Sequence, residues 1–429
     1  MKKVALSLIM VLLISTMLAA GGGRQAQAGG GSRISVLVWT SAEVAATIKE
    51  VAKPFEDRTN AIVEVTVVPL ADYIQRLTTM VAANSAPEVY WVGENMAAQF
   101  YNDGLLGDLS SLMSDREWDF DDFVKSQRDY HTYNGKLMAV PFSGQPLVLF
   151  YNKTLFQKAG LKTPTELFEA NQWTVDAMLD AAVKLADSAN GVFGIDFSRQ
   201  GDWGNWDVPL TPVLRLYGGR GWSDDFRTVE LNNPASLRGV EAFYNLLFTS
   251  RAHPMPGTQI DFRAGKLAMF AELFNTVRTF TNLDFEWDVV PMPLNQNKLS
   301  TGWSGSAGYT VDPRGKSIPL AVDFVRHITN KESFLKLMYI FVPTRMSALT
   351  SSDFKTGNNG QIMRPPAKSF DYCINNDVLA AIPVKQSHPK YVQISEIARV
   401  NLEAMYAGAG RPQETLDKIA REIQPLMSR

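Results

Sequence analysis

Apolar and polar positions change period several times along the chain, and each change marks an element. Ile34-Ser35-Val36-Leu37-Val38-Trp39 is mostly apolar, the pattern of a strand inside a parallel sheet. From Ala45 to Thr59 the apolar residues Ile48, Val51, Ala52 and Phe55 share one helical face. Residues 63–68 alternate and then run apolar, a second strand. Asp72 to Asn84 predicts a helix capped by Asp72, with Tyr73, Leu77, Met80 and Val81 inward. Pro87 to Val92 predicts a third strand and Asn95 to Tyr101 a helix. Strands and helices alternating at this spacing predict an α/β unit on a parallel sheet. Such sheets bind ligands at the carboxyl ends of their strands, where Trp39-Thr40-Ser41 and Trp91-Val92-Gly93 fall.

The middle of the chain is richer in turns and aromatic residues. Leu147 to Tyr151 is a buried strand, Thr174 to Ala186 an amphipathic helix, and Gly201 to Gly221 a loop-rich stretch. Asn233 to Phe248 is helical from its Asn-Pro start, and Phe262 to Phe270 runs from a short helix into a strand. Trp287 to Met292 is a strand, Ile318 to Ile328 a helix opened by Pro319, and Tyr391 to Met427 largely helical. No fixed-period repeat is present.

The amino terminus changes the setting. Lys2-Lys3, an apolar run from Val4 to Leu18 and a closing Ala26-Gln27-Ala28 have the order of a secretory signal peptide over residues 1–28, cut before Gly29. Residues 29–32 continue as a flexible leader. The expected location is the periplasm. Leu18-Ala19-Ala20 resembles a lipoprotein signal, but Gly21 stands where the lipidated cysteine belongs, so a lipid anchor is the minor alternative.

A mature chain of roughly 400 residues exceeds one ordinary core and predicts two lobes. Apolar residues at 45% and charged residues at 20% are globular values. Loss of Lys2, Lys3 and Arg24 from 42 basic residues leaves 39 against 44 acidic ones, which argues against nucleic acid as a partner. The lone Cys373 forms no internal disulfide, whatever the compartment. The four histidines have no metal-ligand spacing, and no nucleophile elbow or phosphate loop is present. Neither metal nor cofactor is expected. A glycosidase carboxylate pair stays open, because nothing singles out two acids among many.

Four segments in order carry a resemblance. They are residues 135–141 with 147–156, residues 262–269, residues 289–293 with 303–309, and residues 321–325 with 329–332. Behind an export signal this order resembles the bacterial extracellular solute-binding proteins that serve ABC importers of sugars, the maltose-binding-protein-like family. The resemblance implies a type II periplasmic-binding-protein fold: two α/β lobes, each a mainly parallel sheet flanked by helices, with the ligand cleft between them. It places the first lobe at 33–143 plus 288–333 and the second at 144–287 plus 334–429. Hinge strands are expected near residues 143–146, 287–289 and 329–334. A monomer is expected, with a small carbohydrate as ligand and membrane permease subunits as partners. The alternatives are an exported glycoside-active enzyme, a sensor subunit, or a binder of a polyol or glycerol-phosphate.

A sugar site combines flat rings for C–H faces with carboxylates, amides and Arg for hydroxyls. By family position the candidates are Trp39, Thr40 and Glu43 after the first strand, Trp91, Glu94 and Asn95 after the third, and Gln145 at the first crossing. Trp203, Trp206 and Asp207 form the densest aromatic-polar cluster, and its Gly-flanked loop suggests a stacking platform. Glu272 and Asn275, the turn at Trp303, Gly305 and Ser306, and Arg345 complete the set. Tyr151, Trp118, Trp173 and Trp287 read as structural.

Overall fold

A computed structural model describes residues 32–427 apart from 95, 205, 224–226, 296–297, 300–303, 376–387 and 389. The expected signal peptide and most of the leader lie outside the described residues. Eight strands form one continuous hydrogen-bonded sheet. They are β1 (Arg33–Val38), β2 (Ile62–Val67), β3 (Val89–Gly93), β4 (Val140–Asn152), β5 (Phe193–Asp196), β6 (Leu267–Leu273), β7 (Trp287–Pro291) and β8 (Ser304–Val311). Their order is β2-β1-β3-β8-β4-β6-β5, with β7 also on β4.

The nucleus of the first lobe is parallel. β1 pairs with β2 from Arg33↔Ile62 to Val38↔Val67, and with β3 at Val36↔Val89. Two helices connect these strands: α1 (Ala42–Thr59), capped by Ser41, and α2 (Leu70–Ala82). The inward residues of α1 are Ala45, Ile48, Val51, Ala52 and Phe55, the face its periodicity gives. β8 then enters antiparallel between β3 and β4, with Tyr309 opposite Trp91 on one side and Val140 on the other. Late sequence therefore completes the early sheet.

β4 belongs to both lobes. Residues 140–146 pair with β8, whereas Leu147 to Asn152 lie between β6 and β7. β5 adds parallel to β6. Around this second sheet pack α3 (Val175–Leu185), α4 (Asp207–Leu216), α5 (Pro234–Phe248), α7 (Tyr391–Tyr406) and α8 (Pro412–Met427), following α6 (Ile318–Ile328) of the first lobe. Gly194 on β5 sits where an added Cβ would fall 1.8 Å from the Ala182 carbonyl oxygen of α3, so strand and helix approach as closely as glycine allows.

The cores correct two expected boundaries. Residues 288–291, expected in the first lobe, are laddered onto the second half of β4, with Val289 and Val290 in second-lobe cores. Phe334 and Leu337, expected in the second lobe, pack in the core of β1, β3 and α1.

Arg345, expected near the ligand, is a clamp inside the first lobe. It is 1% exposed. Its guanidinium donates to the Trp118 carbonyl at 2.6 Å, the Thr329 carbonyl at 2.8 Å, the Asp119 carbonyl at 3.1 Å and Asp122 at 3.2 Å. It also lies 4.1 Å from the Phe123 ring centroid. A buried guanidinium needs several acceptors, and irregular backbone around Trp118 supplies them. Replacing Arg345 by Met should cost roughly 3 kcal/mol of stability, because the buried Trp118 and Thr329 carbonyls lose their donor and Asp122 loses its countercharge. Denaturant unfolding checks this; an unchanged midpoint would contradict the clamp.

Candidate functional site

Where β4 passes from one lobe to the other, a cleft of about 400 Å³ opens. Its first-lobe wall is aromatic. Trp39, just past β1, is half-buried and stands edge-on to Tyr73 of α2 (centroids 4.8 Å, 78°) and to Trp91 of β3 (5.2 Å, 81°). The Tyr73 hydroxyl donates to the Trp91 carbonyl at 2.8 Å and accepts from the Trp91 N–H at 3.1 Å, which ties α2 to the strand end. Trp91 leans on Phe142 of β4 (4.5 Å, 35°) and meets Phe341 edge-on (5.5 Å). Leu70 and Met96 extend this apolar surface. Edge-to-face packing of these rings fixes their orientation as well as burying them.

The wall ends in polar groups. Glu94 follows β3, and its carboxylate accepts from the Ser306 N–H at 3.0 Å while its own N–H donates to the Ser306 carbonyl at 3.2 Å. Burial pushes the Glu94 carboxyl up, and the Ser306 N–H partly opposes this. Behind them the His131 ring meets the Ser306 hydroxyl at 2.9 Å. Burial pushes His131 down to about 3, so it stays neutral. Ser143 and Gln145 reach the cleft from β4, and Gly305 from β8.

The second-lobe wall is charged: Arg199, Asp202 and Asp207, with Tyr391, Val208 and Leu273. The turn after β5 builds it. Asp196 is fully buried and accepts from the Ser198 N–H (2.8 Å), the Ser198 hydroxyl (2.5 Å) and the Gln200 N–H (2.7 Å). His253 accepts from the Phe197 N–H at 2.8 Å. This bracing holds Arg199 (φ 51°) and Gln200 (φ 61°) in consecutive left-handed conformations. Such strain in non-Gly residues persists only where the surroundings impose it. Arg199 donates through Nε to Glu272 at 2.7 Å. Asp207 opens α4, and burial pushes its carboxyl up to about 6 despite a hydrogen bond from the Tyr391 side chain.

The cleft thus gathers Trp39, Trp91, Glu94, Gln145, Asp207, Gly305 and Ser306 from the expected set. Asn95 and Trp303 lie outside the described residues. Thr40 and Glu43 flank the start of α1 without lining the cleft, and Glu43 is exposed. Trp203 does not line the cleft and is half-buried in its own lobe against Phe243 (6.1 Å), His253 (5.7 Å) and Tyr406 (5.0 Å). Trp206 is 5% exposed and faces Trp222. Glu272 stands behind Arg199, and Asn275 donates to the Ile340 carbonyl at 3.1 Å. The sequence reading missed Arg199, Asp202, Phe142, Phe341 and Tyr391. Only Phe142, beside the Gly135–Pro141 motif, carried a local signal. Among the described residues no group of three His, Cys, Asp or Glu is placed to hold a metal ion, and no helix is long and apolar enough to cross a membrane.

Two lobes joined through a shared strand, with a ligand-sized cleft at the junction, define a binding protein of the type II periplasmic class. The chain belongs to the bacterial extracellular solute-binding proteins, whose family model matches residues 39–333. A putative binding protein of Brucella abortus is 24% identical over 408 residues, covering 91% of this chain and 92% of that one. A cyclic α-maltosyl-1,6-maltose binding protein from Arthrobacter globiformis superposes with a TM-score of 0.76 at 18% identity, over 93% of this chain and all of that one. A solute-binding protein from Agrobacterium vitis with bound D-mannitol gives 0.71 at 20% identity, over 92% and 98%.

Asp207 gives a pH-dependent expectation. Its folded value lies above the ordinary 3.8, so the folded state holds the extra proton between pH 3.8 and about 6. The cost of burying its charge is absent below that window and full above it. Asp207→Asn should therefore stabilise the protein above pH 6 by an amount on the order of 1–3 kcal/mol, with the gain shrinking as pH falls to 4. Denaturant unfolding at pH 8 and pH 4 reads the difference; equal gains at both would show that the carboxyl carries no such cost.

Proposed function

We propose that this chain is the extracytoplasmic receptor of an ABC importer and that its ligand is an uncharged, hydroxyl-rich solute, a small sugar or polyol. The division of the cleft carries this reading. One lobe offers mainly rings and aliphatic side chains, which suit C–H surface, edged by the Glu94 carboxylate. The other offers carboxylates, a guanidinium and a phenol, which suit hydroxyls that donate and accept. The cleft volume falls in the range of small-molecule sites. The mannitol-bound structural relative and the one named for binding cyclic α-maltosyl-1,6-maltose point to the same ligand class. Against a phosphorylated ligand stands the pairing of Arg199 with Glu272.

Binding needs contacts from both walls at once, so the liganded state favours lobes drawn together about β4. No covalent step is required, and the reading assigns no catalytic residue. The partner is the importer's permease, which takes the ligand from the closed form, and the receptor acts as a monomer outside the cytoplasmic membrane.

A thermal-shift panel of sugars and polyols tests the proposal. A true ligand at a hundred times its dissociation constant should add about 2.7 kcal/mol of stability. Chromatography of the same mixtures should recover the solute unchanged. Turnover of an oligosaccharide would replace this reading with an enzymatic one, and no shift across the panel would reject it.

A further inference from the structure

We propose that Glu272 is a specificity residue: by neutralising Arg199 from behind the cleft wall, it makes the site reject anionic solutes, including sugar acids and sugar phosphates. The proposal rests on the receptor reading above and concerns which members of the hydroxylated class are admitted.

Arg199 is the one basic residue lining the cleft among the described residues, and the cleft also gathers three acidic ones: Asp202 and Asp207 on the same wall and Glu94 on the other. Its guanidinium would be the natural anchor for a carboxylate or phosphate. Glu272 pre-empts that role. Its Oε1 lies 2.7 Å from Arg199 Nε, and its side chain is 7% exposed against 24% for Arg199. The same oxygen accepts from the Leu273 N–H at 2.8 Å, and the β6–β4 ladder sets Glu272 opposite Val148. The carboxylate is thus fixed by the sheet and does not line the cleft itself. Arg199 is equally fixed by the braced turn described above. An incoming hydroxyl can accept from the guanidinium at little electrostatic cost. An incoming anion must compete with Glu272 at low dielectric and also faces the three lining acids. Arg199 serves here as a donor with its net charge already cancelled.

The test measures dissociation constants at pH 7.5 for matched pairs: mannitol and mannonate, glucose and glucuronate, arabinitol and arabinonate. Wild type should prefer the neutral member by at least about tenfold. Glu272→Gln keeps an acceptor for Arg199 and Leu273 but removes the charge, so it should shrink that preference by about tenfold. Arg199→Gln should leave the preference intact or enlarge it while weakening the neutral member. A merely structural role for Glu272 would weaken both members equally and leave the ratio unchanged. An unchanged ratio in folded Glu272→Gln, or equal binding of both members by wild type, overturns the proposal while the receptor reading stands. Should Glu272→Gln not fold, a reduced preference in Arg199→Gln overturns it by itself. Binding of no neutral member would overturn the receptor reading, and this proposal with it.

Discussion

One backbone ladder sets the geometry of everything else. β4 is a single extended strand whose first half completes the first-lobe part of the sheet and whose second half forms the centre of the second-lobe part. Pro146, without an N–H to donate, stands at the handover. Gly144 lies close under the Gln127 side chain, where a Cβ would fall 2.7 Å from its Cδ. Ser143 and Gln145 reach the cleft from this same strand. The floor of the site is therefore a strand laddered to β8 and tied on its other side by the Gly144 N–H to the Val342 carbonyl, a more exact support than a loop.

From that floor the two walls rise with opposite chemistry. The first lobe places its rings by edge contacts among Trp39, Tyr73, Trp91 and Phe142, so their orientation comes from a buried cluster. The second lobe places charge through a strained turn tied to the buried Asp196. Both devices cost stability that a purely structural design would keep. Ring edges are left at a solvent boundary, and a carboxyl such as Asp207 is buried against its preference. Active surfaces often carry such costs, and the rest of the core offsets them.

Much of the fold was legible because period and spacing are local. Apolar runs gave β1 and β3, and one helical face gave α1. The strand-end rule then led to Trp39 and Trp91, and family position to Glu94, without any knowledge of side-chain packing. What was not legible depends on contacts distant in sequence. Arg199 and Asp202 reach the cleft only because Asp196 folds the intervening backbone into left-handed conformations, which no residue type announces. Tyr391 comes from the carboxyl-terminal helices. Glycines on either side of Trp203 suggested an outward loop, whereas its ring packs against Phe243, His253 and Tyr406 in its own lobe. Arg345 lies in the first-lobe core because acceptors at residues 118–122 and the Thr329 carbonyl, more than 200 residues later, meet around it only in the folded chain.

The insertion of β8 between β3 and β4 bears on the order of folding. Gly93 waits for Ala307 and Tyr309 for Trp91, so the first sheet stays open on one side until nearly three quarters of the polypeptide is available. Long-range pairing of this kind slows folding relative to local pairing. The amino-terminal strands therefore keep an unpaired edge, the usual template for wrong pairing, until residues 304–311 are available to cover it.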